Sequence, residues 1–112
     1  MVRRLALTVA GVLLCAAAQA AVIHVNAQDN TFSPQIISAS SGDSIVWTNT
    51  GTVAHTVTSS KPATPGRLFD QNLAPGQTFT WLVPNVPRAI RLQYLCRFHA
   101  AVGMKGAIDL SP

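Results

Sequence analysis

Cys96, His99 and Met104 fall within nine positions of the stretch "YLCRFHAAVGMKG", with two residues between the first pair and four between the second. Thiolate, imidazole and thioether are soft or borderline donors, and together they suit copper. Two His and one Cys in a trigonal plane, with a weak axial Met, make an electron-transfer copper site. A straight strand sends successive side chains to opposite faces, so three donors this close in sequence need a loop to converge. Gly103 and Gly106 bracket Met104 and suit such a loop. The loop supplies one Cys, one His and one Met, so a second His must come from elsewhere. The chain has three His, which leaves His24 and His55. His24 sits in mid-strand by pattern. His55 opens a strand after the turn-rich "TNTGTVAH", where strand ends meet at one pole of a sandwich, and it is the better candidate.

The bland readings explain less. A free Cys is often a small buried hydrophobe and a Met is often core filler, but neither role accounts for the spacing to His99. The chain has two cysteines, Cys15 and Cys96. Cys15 lies in a segment that reads as a leader, so Cys96 is left without an intramolecular partner and points to a ligand or a free thiol. A thiol enzyme with Cys96 as nucleophile and His99 as base leaves Met104 and His55 without a role. A catalytic copper enzyme would need further ligands. The reading is therefore not an enzyme but an electron carrier. The alternative is a copper-binding and trafficking protein with similar ligands. Trp47, Phe79, Trp81 and Tyr94 read as core aromatics.

The elements that must position these residues are short alternating runs between turn signals. Residues 21–27 form a strand with Ile23 and Val25 on one face, and "QDN" turns the chain. Residues 32–38 form a second strand, interrupted by Pro34 and so placed at an edge or bend. Residues 44–49 follow, with Ile45 and Trp47 inward, and then 54–59. Two prolines and a glycine make 60–66 a loop. Residues 77–83 and 88–96 alternate well. In the latter run Ile90, Leu92, Tyr94 and Cys96 share a face, which puts Cys96 inward at the strand's end. Residues 105–110 close the set. The expectation is an all-β, Greek-key antiparallel sandwich of seven to eight strands.

"MVRRLALTVAGVLLCAAAQA" reads as a secretory signal peptide over residues 1–20. It has Arg3 and Arg4, an apolar run and a small-x-small cleavage site at Ala18-Gln19-Ala20. Residues 21–112 then form one domain of 92 residues with six basic side chains against four Asp, a net charge of about +2. That balance is too mild and too dispersed for nucleic acid. The expected location is the periplasm, as a monomer with no membrane span after cleavage.

"GDSIVWTNTGTVAHTVTS", "APGQTFTW" and "YLCRFHAAVGMKGAI" together resemble the cupredoxin family of small blue copper proteins, over most of residues 32–110. The Cys-x2-His-x4-Met spacing is similar to that of plastocyanin. The resemblance implies one type 1 copper cycling between Cu(I) and Cu(II), with His55, Cys96 and His99 equatorial and Met104 axial. It also implies transient contact with a redox donor and acceptor at the His99 edge. Thr56 and Asn49 would hold the Cys96 loop by hydrogen bonds. Thr56 stands where many members have Asn, Phe98 where Pro is frequent, and "PRAI" where "GTY" is common, departures that bear on tuning.

Overall fold

The computed structural model describes residues 19–60 and 68–112. Most of the segment read as a leader, residues 1–18, and most of the Pro-rich loop, residues 61–66, lie outside them. The described residues form nine strands: β1 (Val22–Gln28), β2 (Thr31–Ser33), β3 (Ile36–Ser40), β4 (Ser44–Asn49), β5 (His55–Ser59), β6 (Asp70–Leu73), β7 (Thr78–Leu82), β8 (Ile90–Leu95) and β9 (Lys105–Ser111). They make two facing sheets, ordered β2-β1-β4-β7 and β3-β9-β8-β5-β6.

The expected all-β sandwich is present, with three differences of detail. The single strand expected over 32–38 is two strands, because Pro34 cannot donate to a ladder. The chain leaves β1's sheet there and enters the other beside β9. Strand β6 was not anticipated, since "DQNL" is polar and exposed except at Leu73. It is an edge strand held by backbone pairing to β5. Finally, β1 pairs β4 in parallel and β3 pairs β9 in parallel, while the other pairings are antiparallel. The long crossings between sheets demand this, since a tight hairpin joins only antiparallel neighbours.

The core follows from alternation. In β4 the pattern buries Ile45, Trp47 and Asn49 while leaving the intervening residues half-exposed. Trp47 is the centre of an aromatic cluster, stacked on Phe79 at 5.7 Å and edge-on to Tyr94 at 5.4 Å. Phe69 and Phe32 fill the flanks. Register then brings the functional residues together. Leu95 at the end of β8 lies opposite Lys105 at the start of β9 and Thr58 in β5. Cys96, Met104 and His55 therefore meet at one pole. The parallel strands β1 and β4 both finish at that pole, which delivers Asp29 and the 50–54 loop beside His55.

Candidate metal centre

His55, Cys96 and His99 offer ligand atoms that all lie within 4.8 Å of one another. His55 Nδ1 is 3.2 Å from His99 Nδ1, and Cys96 Sγ is 3.5 Å from His99 Nδ1 and 3.9 Å from His55 Nδ1. Bonds of about 2.0 Å to nitrogen and about 2.3 Å to sulfur allow two donors of one ion to stand at most about 4.3 Å apart. The three separations satisfy that limit, so one first-row ion fits among them. The loop carrying the donors closes on itself. Cys96 N–H donates to Met104 O, Met104 N–H donates to His99 O, and His99 N–H donates to Cys96 O. A single 3-10 turn at Ala100–Val102 spans the gap and ends at Gly103, whose φ of +92° suits glycine. Met104, His55 and Cys96 are fully buried, while His99 is half-buried. His24, by contrast, lies exposed on the outer face of β1, opposite Val46, and outside the cluster.

Hydrogen bonds around the donors fix their positions. Thr56 N–H donates to Cys96 Sγ at 3.3 Å, and Thr56 Oγ1 accepts from Arg97 N–H at 2.7 Å. Thr56 therefore ties β5 to the cysteine loop, as expected. Asn49 plays a different part from the one expected. Its Nδ2 donates to Val53 O and Leu73 O, and its Oδ1 accepts from Gly51 N–H. It braces the loop leading to His55 rather than the loop around Cys96.

Asp29 is the residue that sequence reasoning passed over, since "QDN" reads only as a turn. Its Oδ1 lies 2.9 Å from His55 Nε2. The Thr52 hydroxyl donates to Oδ2 at 2.7 Å, and Thr52 N–H donates to the same carboxylate. The Thr52 hydroxyl bond first, then the His55 bond and the Thr52 amide, hold the Asp29 carboxyl down at about 2. The only sequence signal was an Asp at a turn after the first strand.

A family model described as copper binding proteins, plastocyanin/azurin family, matches residues 19–111. The chain belongs to that family, and copper is the cofactor its donor set suits. The solved structures that it resembles include a mutant amicyanin in its reduced state, at 19% identity and a TM-score of 0.69, covering 80% of this chain and 82% of that one. A purple cupredoxin from Nitrosopumilus maritimus matches at 20% identity and 0.66, covering 80% and 99%. A copper-containing nitrite reductase from Thermus scotoductus matches at 17% identity and 0.67, covering 80% of this chain and 22% of that one. These likenesses support the cupredoxin fold. Comparison with curated protein sequences yields no match.

Proposed function

We propose that this chain is an exported blue copper protein that shuttles single electrons between redox partners and catalyses no reaction of its own. His55, Cys96 and His99 serve as equatorial ligands and Met104 as the axial one. The convergence of two imidazole Nδ1 atoms and one thiol on a single point carries this reading. Copper bound there supplies a one-electron Cu(II)/Cu(I) couple. The chain's own residues hold the donors in a fixed geometry. Little has to rearrange when the charge changes, because Thr56, Asn49 and the closed 96–104 loop already fix His55, Cys96 and Met104.

His99 is the half-buried member of the set, so it is the edge through which a partner is met. Val53, Phe98 and Val102 are exposed apolar residues in the two loops that carry His55 and His99. Thr52, Ala54 and Ala101 are exposed beside them. Small apolar faces of this kind suit short-lived encounters. The mature protein is a monomer of residues 21–112 in the periplasm, released by cleavage after Ala20. The start of β1 at Val22 and the family match from residue 19 support a domain that begins there. Among the described residues no helix is long and apolar enough to cross a membrane.

The test is the visible and electron paramagnetic resonance spectrum of the mature protein with one equivalent of Cu(II), before and after ascorbate. The expected result is an intense blue band with narrow copper hyperfine splitting, bleached by ascorbate and restored by an oxidant. A pale, ordinary Cu(II) spectrum, or binding of Cu(I) alone, would instead favour copper trafficking.

A further inference from the structure

We propose that Asp29 is a positioning residue for the metal centre, one whose acceptor oxygen holds His55 in its ligating tautomer and whose negative charge lowers the reduction potential of the site. This rests on the copper reading above and adds a residue to it. His55 presents Nδ1 to the donor cluster and turns Nε2 away from it, 2.9 Å from Asp29 Oδ1. A carboxylate only accepts hydrogen bonds, so this contact requires the proton to be on Nε2. The Nδ1 lone pair is then free to face the metal. A carboxylate behind a ligating imidazole also makes that ligand more basic. A more basic ligand, and a negative charge at this distance, favour Cu(II) over Cu(I).

The contact is built into the surrounding chain. Thr52 holds the carboxylate through its hydroxyl, which donates to Oδ2, and its amide, which donates to both oxygens. Asn49 Oδ1 pulls Gly51 N–H inward at 2.8 Å. Gly51 lies so close to the pair that a Cβ there would collide with the Asp29 carboxylate and stand 2.9 Å from His55 Nε2. Only glycine leaves room for the hydrogen bond. His55 itself is fully buried, whereas the Asp29 side chain is 40% exposed. The carboxylate can therefore stay hydrated on one side while its other side serves the buried ring.

The test compares D29N, D29A and T52V with wild type in the mature protein. Asn can keep the shape: its Oδ1 accepts from His55 Nε2–H and its Nδ2 donates to Thr52 Oγ1. D29N therefore removes the charge and keeps the acceptor, D29A removes both, and T52V removes one support of the loop and keeps the charge. The first readout is the 15N spectrum of the histidine rings in the copper-free protein. The proton on His55 Nε2 is expected in wild type, D29N and T52V, with a tautomer mixture in D29A. The second is the reduction potential from spectroelectrochemistry of the copper-loaded protein. D29N is expected to lower the Cu(II):Cu(I) ratio at a fixed ambient potential by about tenfold, which for one electron is about 59 mV upward, while T52V gives no upward shift. A normal blue wild type whose potential is the same in D29N, or moves equally in D29N and T52V, overturns the assignment to Asp29. A wild type with no blue centre would instead overturn the copper reading, and the tuning of the potential with it.

Discussion

Thr56 is a small side chain on which the cysteine loop depends. Thr58 donates its hydroxyl proton to Asp70 Oδ1 at 2.7 Å, so in the 3.0 Å pair between the two threonines Thr56 is the donor and Thr58 the acceptor. The remaining capacity of Thr56 Oγ1 accepts from Arg97 N–H, immediately after Cys96. The Arg97 side chain then runs outward to Asp70 and Asn72 and covers the outer face of β5. This explains why all five residues of β5 are buried, where simple alternation would leave Thr56 and Thr58 exposed. Replacing Thr56 by Val leaves the Arg97 amide without its acceptor, and an unpaired buried amide costs about 1–3 kcal/mol. We expect T56V to lower the unfolding free energy from urea titration by that amount and to shift the blue absorption band, because the residue next to the thiolate is no longer held. T56S, which restores the hydroxyl, should recover both.

At the level of elements, the strands that alternate were readable from sequence and the others were not. β4 and β8 put Ile45, Trp47, Leu92 and Tyr94 on their expected inner faces, with Cys96 buried just past the end of β8, because period-2 burial is a direct consequence of the pleat. Ile90, expected on the same face, is exposed at the start of β8. β6 has no such period, and its pairing to β5 comes from backbone bonds that leave no mark in "DQNL". The ligand loop was readable for a different reason: its donor types are scarce, so their spacing carries the signal. Asp29 was not, because one aspartate at a turn has many ordinary uses. The same contrast appears across β8 and β9. Tyr94 faces Gly106 in register, and its phenol lies over the glycine so closely that a Cβ would run into the ring. Among the described residues, the Tyr94 hydroxyl and the Trp47 indole N–H are buried with no partner in hydrogen-bond geometry. Burial pushes the Tyr94 hydroxyl up to about 12, and the neighbouring Trp47 N–H offsets only part of that. Y94F therefore removes a poorly satisfied group and should be neutral or stabilising by up to about 1 kcal/mol. G106A forces the ring out of place and should cost about 1–3 kcal/mol. Thermal unfolding of both variants checks the pair, and a Y94F variant as damaged as G106A would show that the hydroxyl has a partner after all.

Over the whole molecule, the carboxylates act as staples at both ends of the sandwich. Asp29 serves the pole with the donor cluster. Asp43 serves the other end, where its two oxygens accept Ala21 N–H and Ser40 N–H, each at 2.8 Å. Asp109 pairs across β8 and β9 with Arg91 through two bonds. The Ser40 and Ala21 amides hold the Asp43 carboxyl below its ordinary 3.8, and Arg91 does the same to Asp109. A carboxyl whose pKa is depressed on folding adds stability that is fully present above the unfolded value and is lost as pH falls through the folded value. The urea midpoint of the copper-free protein should therefore fall most steeply from about pH 4 downward, toward the value near 2 of Asp29. D43N separates one staple from the rest. Its amide can accept only one of the two N–H bonds, and its Nδ2 is set against the other donor. At pH 5 the variant should unfold at lower urea than wild type. As the pH falls through the lowered pKa of Asp43 the gap should narrow, because the wild-type carboxylate then loses its charge and its hold on β1 and β3. A gap that stays constant down to the acid unfolding of the wild type would mean that Asp43 acts through its shape alone.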